Sequence, residues 1–437
     1  MTDPSAARQP TGADTLAMVR FELSWQSDHA AHCDCWVEPD LDLSRTDLPA
    51  SLAADLLDQS LDHCRSRMGG RCEVQRRDVT DWVPAYREDR LLELDPAQFN
   101  RRMLAGRLIH PRVGRFYPKG ILTGVEGIAA TDRSPMRVAA LDAGRLRAEL
   151  NHPLAGKALT LGARIEAITD RDPHAGHSAL AGARTNAPTE APANTLAARI
   201  TADGPGMQAR WRDQPTDFFS DRAFDRQDPR PDAGFYAKAR LVHHLDQSAR
   251  AELSALFGRL LPPGARILDL MTSWDSHLPD SLQPAAVTGL GLNAAELAAN
   301  AALDARVVHD LNRDPTLPFD DSAFDAALCT VSVEYLVKPL EVFRELARVL
   351  RPGGLFVVTV SDRWFPPKAV RVWREIHPFE RAGLVLEYFL RSGRFADLNT
   401  WSLRGLPRPA DDKYAGRVAL SDPLHALWGR RSGADGS

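Results

Sequence analysis

The C-terminal half of the chain alternates between segments with the periodicity of helices and short apolar segments typical of strands. Leu253, Leu256, Phe257 and Leu260 recur at the spacing of one helical face, and this helix is expected to end at Pro262. The predicted strands are Ile267–Leu270, Val287–Leu292, Arg306–His309, Phe324–Val331 and Leu355–Val360. Strands that alternate with helices imply a parallel sheet, so we predict an α/β, Rossmann-like, doubly wound sheet for this half.

The first of these strands leads into a polar turn, within the sequence RILDLMTSWDSHLP from Arg266 to Pro279. In an open α/β sheet, ligands bind beside the carboxyl ends of the strands, and the turn after the first strand is usually rich in glycine. Here no glycine follows Asp269 before Gly289. The turn instead carries five polar side chains: Thr272, Ser273, Asp275, Ser276 and His277. We therefore expect the functional site at this turn, with a polar surface in place of bare backbone.

Bulk composition is that of a folded protein of more than one domain. The chain has 437 residues, of which 44% are hydrophobic and 26% charged, and its net charge of −4 gives no basis for nucleic-acid binding. No apolar run approaches the roughly 20 residues that a membrane span requires, and the polar N-terminus lacks a secretory signal. We therefore predict a cytoplasmic protein without nucleic-acid or membrane partners.

The five cysteines do not suggest a disulfide framework, and a reducing compartment suits them. Cys33 and Cys35 stand next to His29 and His32 in the sequence HAAHCDC, which brings four potential soft-metal ligands together. The spacing of the cysteines is not that of a common zinc site, however, and no second pair follows. We predict no metal site.

Composition also suggests where one domain ends and the next begins. Residues 169–209 are rich in alanine, proline, threonine and glycine and contain no aromatic residue, so they have little surface to bury. We predict a domain at 15–168, a flexible linker at 169–229, a second domain at 230–405 and a loosely attached tail at 406–437.

Three blocks of the second domain resemble class I S-adenosylmethionine-dependent methyltransferases of the type 11 group. They are the strand that ends at Asp269, the sequence HDLNRDPTLPFDDSAFDAALC at His309–Cys329, and ELARVLRPGGLFVVTV at Glu345–Val360. The string DLMTSWDSHLP also resembles a methyltransferase-like subgroup that has a Ser/Trp/His turn in place of the glycines. The resemblance implies S-adenosyl-L-methionine as cofactor.

The same resemblance implies which residues contact the cofactor. Asp310 matches the acidic residue that binds the adenine amino group. The implied cofactor contacts are Asp269, Met271, Thr272, Ser273, Asp310 and Leu311. Two departures are specific: Met271, Ser273 and Asp275 replace the glycines of the family's loop, and Gly291 replaces the acidic residue that accepts hydrogen bonds from the ribose. Asp269 could alternatively cap the helix that follows the turn.

Methyl transfer chiefly requires positioning of the acceptor and exclusion of water, and a general base is needed only for some acceptors. The candidate catalytic residues are His277 after the first strand, and Glu334 and Tyr335 after the fourth. Alternatively, Glu334 and Tyr335 begin a surface helix. The methyl acceptor is expected to be a small molecule or a protein.

In the N-terminal half, the sequence NHPLAGK at Asn151–Lys157 resembles FKBP-type peptidyl-prolyl isomerases of the SlyD-like group. It implies an α+β fold with a flap inserted before the last strand, which would correspond to residues 115–150, and it implies peptide binding. Two other functions remain open: a non-catalytic methyltransferase-fold scaffold with a chaperone or interaction role, and a working peptidyl-prolyl cis-trans isomerase.

Overall fold

The computed structural model describes residues 15–43, 50–56, 76–103, 107–142, 144–170, 195–202 and 204–433. The strands are β1 (Thr15–Gln26), β2 (Ala30–Asp42), β3 (Arg76–Asp78), β4 (Leu91–Leu94), β5 (Arg102–Met103), β6 (Arg107–Leu108), β7 (Phe116–Pro118), β8 (Pro135–Asp142), β9 (Arg145–Glu149), β10 (Thr160–Asp170), β11 (Arg266–Leu270), β12 (Ala286–Gly291), β13 (Ala305–Val308), β14 (Phe324–Thr330), β15 (Leu350–Ser361), β16 (Phe395–Arg404) and β17 (Leu424–Arg431). The α-helices are α1 (50–56), α2 (Leu196–Thr201), α3 (Asp232–Phe235), α4 (Gln247–Leu260), α5 (Ala294–Ala299), α6 (Pro339–Val349), α7 (Arg371–Glu375) and α8 (Pro378–Ser392).

The C-terminal half forms the predicted Rossmann-like sheet, in the order β13-β12-β11-β14-β15-β17-β16. The first five strands are parallel, whereas β17 is antiparallel to both neighbours. Helices α6 and α8 contribute to one hydrophobic cluster and helices α4 and α5 to another, so both faces of the sheet are covered. The prediction of a doubly wound sheet is confirmed, and the parallel strands place their carboxyl ends along one edge.

Helix α4 shows why the local sequence specifies this arrangement. Asp246 caps its N-terminus by accepting a hydrogen bond from the backbone N–H of Ala249 at 2.9 Å. Leu253, Leu256 and Phe257 then bury one face of the helix against the sheet, as their spacing predicts. The capped and packed helix leads into β11 and so fixes where the turn after that strand lies.

The prediction of a loose tail at 406–437 is wrong for the part that the structure describes. Strand β17 lies between β15 and β16 in the middle of the sheet, and Leu424, Ala426 and Leu427 are buried. The strand is short and continues a segment without obvious periodicity, so its sequence alone did not distinguish it from surface chain. The C-terminal domain thus extends beyond residue 405.

The N-terminal half contributes four antiparallel strands to the same sheet, in the order β2-β1-β10-β3. Strand β2 pairs in parallel with β16, so a single 11-stranded sheet runs through both halves. A separate four-stranded sheet, β4-β9-β8-β7, is inserted in the chain between β3 and β10. Strands β5 and β6 form a small hairpin. The FKBP-like assignment of this half stays a prediction.

A buried polar cluster joins the two halves where β2 meets β16. The carboxylate of Asp34 accepts hydrogen bonds from Trp25 Nε1 at 2.9 Å, Ser402 Oγ at 2.8 Å and Gln208 Nε2 at 3.2 Å. On the same strand, His32 Nδ1 lies 2.7 Å from Thr400 Oγ1. The bonds from Asp34 to Ser402 and from His32 to Thr400 join residues 368 positions apart in the chain, so the halves are not independent domains joined by a tether.

The linker predicted at 169–229 is also wrong for residues 195–202 and 204–229. Leu196, Met207, Ala209 and Phe218 are buried there, and α2 lies within this stretch. Few apolar residues suffice because they fill gaps between two preformed surfaces and do not need a core of their own. Residues 169–170 end β10, and residues 171–194 and 203 lie outside the described residues. No helix in the described part of the chain is long and apolar enough to cross a membrane.

Candidate functional site

The turn after β11 keeps a glycine-like backbone without glycine. Met271, at the position of the family's first glycine, has a φ of 57°, in the left-handed region that non-glycine residues seldom adopt. The N–H of Thr272 then donates to the carbonyl oxygen of Leu290 at 2.9 Å, which ties the turn to β12. Such local strain persists where the surrounding structure fixes it, most often at functional sites.

Close packing of this turn explains why Gly291 replaces the family's acidic residue. A Cβ atom on Gly291 would lie 2.4 Å from the carbonyl oxygen of Thr272, well inside van der Waals contact. An acidic side chain cannot occupy this position while the turn keeps its path. One acid in the cavity wall is Glu296 on α5, which accepts hydrogen bonds from the backbone N–H of Arg240 and from Ser273 Oγ, both at 2.7 Å.

The other polar side chains of the turn bind neighbouring elements. Asn300 at the end of α5 donates through Nδ2 to the carbonyl oxygen of Ser273 and to Ser276 Oγ, both at 3.0 Å. Asn293 caps α5 and donates to the carbonyl oxygens of Tyr236 and Ala237. Asn300 therefore ties the turn to α5 through the Ser273 carbonyl and the Ser276 hydroxyl.

Asp275 bridges two histidines on the wall of the site. Its Oδ2 lies 2.8 Å from His243 Nε2 and 3.1 Å from His277 Nδ1. The hydrogen bond from the His277 side chain holds the pKa of the Asp275 carboxyl well below its usual range. The sequence indicated His277 but not His243, because His243 precedes α4 and only the fold brings it close to the turn. Trp274 Nε1 also donates a hydrogen bond to the carbonyl oxygen of Val242 at 3.3 Å, next to His243.

Asp269 lies beneath the turn at the end of β11. It is 1% exposed, and neither carboxylate oxygen has a hydrogen-bond partner among the described residues. Burial raises the pKa of the Asp269 carboxyl to about 6, and the nearby hydroxyls of Ser276 and Thr272 offset part of that rise. Asp269 does not line the cavity described next, so its carboxylate can affect that cavity only through the residues of the turn above it.

A cavity of about 390 Å³ opens at the carboxyl ends of β11, β12, β13 and β14. It lies in the size range of small-molecule sites. The predicted site residues that line it are Met271, Thr272, Ser273, His277, Asp310, Leu311 and Tyr335. Residues from two later segments cover it, among them Trp364, Phe365 and Tyr414. The structure therefore brings most of the predicted residues to one cavity.

Asp310 lies at the end of β13, in the turn that enters this cavity. Its Oδ1 accepts hydrogen bonds from the backbone N–H groups of Asn312 at 3.0 Å and Arg313 at 3.3 Å, which fixes the carboxylate. Asn312 in turn donates to Asp232 at 2.8 Å and to the carbonyl oxygen of Tyr335 at 2.9 Å. The ends of β13 and β14 are thus held together across the cavity.

Glu334 and Tyr335 form part of a short 3-10 helix after β14, and they differ in position. Tyr335 lines the cavity, and its hydroxyl accepts a hydrogen bond from the backbone N–H of Phe365 at 2.9 Å. Glu334 is 1% exposed and does not line the cavity. Burial raises the pKa of its carboxyl to about 8. Glu334 is therefore a buried acid behind the cavity wall.

Comparisons with known proteins find similarity to methyltransferases. Residues 275–358 match the family model of a methyltransferase domain. A malonyl-[acyl-carrier protein] O-methyltransferase of Marinomonas sp. (strain MWYL1) is 24% identical over 97 residues, which are 20% of this chain and 36% of that protein. An uncharacterized methyltransferase of Mycolicibacterium gilvum (strain PYR-GCK) is 30% identical over 118 residues, 27% of this chain and 41% of that protein. The chain thus spans less than half the length of these relatives.

Among solved structures, one similar chain comes from the complex between the Haloferax volcanii Trm112 methyltransferase activator and a methyltransferase. It is 19% identical with a TM-score of 0.32, and the match covers 44% of this chain and 93% of that chain. The family match lies within the C-terminal half, between the turn after β11 and strand β15. Together with the curated relatives, it shows similarity to methyltransferases, and S-adenosylmethionine is the cofactor that the resemblance in the sequence implies.

The residues of the cavity fit this cofactor. Met271 supplies a glycine-like backbone at the first position of the loop, and Asp310 supplies a fixed carboxylate at the edge of the sheet. The ribose carboxylate of the family is absent at Gly291, but Glu296 lines the same region of the cavity. In the described part of the chain, no group of three or more His, Cys, Asp or Glu side chains has the geometry to hold a metal ion.

Proposed function

We propose that the C-terminal half transfers a methyl group from S-adenosylmethionine to an acceptor that binds in the cavity at the carboxyl ends of β11–β14. The observation that carries this proposal is the meeting of Asp310, the glycine-like turn at Met271 and Tyr335 on one cavity of a sheet with this strand order. Ligands of open α/β sheets bind at this edge.

Within this proposal, Asp310 and Leu311 hold the adenine, and the backbone at Met271, Thr272 and Ser273 surrounds the methionine part of the cofactor. When bound, the cofactor supplies an electrophilic methyl group on a sulfonium. The protein's part is to align the acceptor with that methyl group and to exclude water. The aromatic rings that line the cavity, including Tyr335 and Phe365, provide a surface that can align the acceptor and exclude water.

His277 is the proposed proton acceptor for an acceptor molecule that must lose a proton. Its ring is held on Asp275 at 3.1 Å, which fixes its orientation at the cavity wall. Tyr335 has a more limited role in this proposal. Burial raises the pKa of its hydroxyl well above the usual value, and the hydroxyl is engaged by Phe365, so it positions the cavity wall and keeps its proton.

Calorimetric titration of S-adenosylmethionine into the full chain tests the proposal. The full chain is required because β16 pairs with β2 and a C-terminal fragment would lose that partner. Asp310→Asn removes a charge-assisted hydrogen bond of about 1.5–3 kcal/mol, so we expect roughly a 10- to 100-fold loss of affinity. Asp320→Asn, an exposed acid on the same connection, is the matched control and is expected to leave affinity unchanged.

Absence of binding at about 1 mM S-adenosylmethionine, where binding would be worth only ~4 kcal/mol, would contradict the methyltransferase proposal. It would favour the alternative, a methyltransferase fold that acts as a non-catalytic scaffold with a chaperone or interaction role. Equal losses for Asp310→Asn and Asp320→Asn would contradict the assignment of Asp310.

We further propose that the N-terminal half is an FKBP-like module that binds the substrate or a protein partner, in a cytoplasmic protein. The antiparallel strands β2-β1-β10-β3 and the small sheet inserted directly before Asn151–Lys157 and β10 support this. Prolyl isomerase activity is the narrower alternative. Its test is a proline-limited refolding assay with the full chain, in which an unchanged refolding rate would end the isomerase proposal and leave the binding role.

A further inference from the structure

A second and larger cavity, of about 880 Å³, lies between the two halves of the protein. Strands β7 and β8 of the inserted sheet form one wall, and helices α7 and α8 form the opposite wall. It shares no lining residue with the cavity at the carboxyl ends of β11–β14. The methyltransferase proposal therefore leaves this space without a role.

The wall on the side of the inserted sheet is largely apolar. Phe116 and Tyr117 of β7 are 8% and 7% exposed, and Met207 packs against the same region with 7% exposure. Pro118 and Pro135, which face each other in the β7–β8 pair, extend this wall. Since Pro118 has no N–H to donate, the edge of β7 is suited to apolar contact more than to pairing with another strand.

The charged groups in this cavity are unequally matched. Glu380 is engaged by the backbone N–H groups of Phe116 at 2.9 Å and His377 at 3.2 Å, and Glu375 by Arg371 at 3.0 Å. Asp221 is paired with Arg112, outside the cavity. The acids that line the cavity at these points already have partners.

Two arginines have bonding capacity left over. Arg115 Nη2 donates to the carbonyl oxygen of Glu375 at 3.5 Å and its buried Nε lies 4.0 Å from Glu380, but its Nη1 has no hydrogen-bond partner among the described residues. Arg133 is exposed at the same cavity and forms no ion pair with the residues that the structure describes. A ligand carboxylate can accept one hydrogen bond from the remaining Nη1 group of Arg115 and another from Arg133.

We propose that this cavity binds an organic anion with an apolar body, such as a medium-chain carboxylate. The apolar body lies against Phe116, Tyr117 and Met207, and the carboxylate contacts Arg115 and Arg133. The proposal concerns a site separate from the cofactor cavity and does not depend on methyl transfer.

Calorimetric titration of the full chain with decanoate tests the site, and 1-decanol is the uncharged comparison. We expect one decanoate per chain and at least tenfold weaker binding of decanol. Arg133→Glu, a surface change, is expected to weaken decanoate binding at least fivefold, whereas Arg145→Glu, at an exposed position of β9 in the same inserted sheet, leaves it unchanged. Met207→Trp, which fills the cavity, is expected to abolish binding.

Equal affinity for decanol and decanoate would overturn the role of the arginines, as would an unchanged affinity in Arg133→Glu. Decanoate binding that survives Met207→Trp would place the ligand elsewhere and overturn the site. Each variant is first checked for a wild-type circular dichroism spectrum, and because two independent variants are used, a folding defect in one leaves the other decisive.

Discussion

Replacement of Gly291 by alanine tests the packing on which the whole site depends. The added Cβ atom would lie 2.4 Å from the carbonyl oxygen of Thr272 and 3.2 Å from Leu297 Cδ2. The first contact is with backbone, so a side-chain rotation cannot relieve it. The turn after β11 must move away from β12 for the alanine to fit.

The magnitude follows from two terms. Overpacking of a close contact costs roughly 1–3 kcal/mol. Movement of the turn also weakens the 2.9 Å hydrogen bond from the N–H of Thr272 to Leu290, and such a bond has a net worth of about 1 kcal/mol. We therefore expect Gly291→Ala to lower the free energy of unfolding by about 2–4 kcal/mol and to weaken S-adenosylmethionine binding, because Met271 and Ser273 move with the turn.

Urea denaturation followed by circular dichroism measures the first effect, and calorimetry the second. Gly416→Ala is the matched control, since a Cβ atom there meets nothing within 4 Å. The denaturant slope should stay constant, so that a shifted midpoint reports stability. A Gly291→Ala protein within about 0.5 kcal/mol of wild type would refute the close packing of the turn on β12 and, with it, our explanation for the missing acidic residue.

Three further predictions follow from the buried acids and the sheet. Burial raises the pKa of Glu334 from its ordinary value of 4.5 to about 8, so between these pH values the folded state holds a proton that the unfolded state releases, and stability falls as pH rises. Glu334→Gln should remove this part of the pH dependence of the unfolding free energy in urea titrations from pH 5 to 8. An unchanged pH dependence would contradict a raised pKa. Asp34→Ala leaves three buried donors without an acceptor and should lower the free energy of unfolding, measured by heat or urea, by about 3–5 kcal/mol. The control Asp40→Ala, at an exposed position of the same strand, should lower it little, and equal effects would argue against the buried cluster. A chain that ends at residue 405 lacks the central strand β17 and should fail to give a cooperative unfolding transition, an outcome that a stable truncated protein would contradict.

The sequence determined the parallel part of the C-terminal sheet because its signals are local. Helix caps such as Asp246 and Asn293, the helical spacing in α4, and apolar strands between turns each specify their own element. Since parallel strands must align their carboxyl ends, the pattern also placed Met271, Asp310 and Tyr335 near a common edge. No tertiary information was needed for this part of the candidate site.

Only the tertiary structure decided how distant segments complete the site and the sheet. His243 joins Asp275 and His277 although it lies 32 residues before Asp275, and β17 enters the sheet between strands that precede it in the chain. The pairing of β2 with β16 depends on complementary polar groups such as Asp34 and Ser402, which carry no periodic signal. Such contacts reflect surfaces that exist only after both partners fold. The sequence therefore determined the secondary-structure elements and the edge of the sheet at which the site lies. The tertiary structure determined which side chains meet at that edge, because their contacts depend on long-range packing, which local periodicity does not encode.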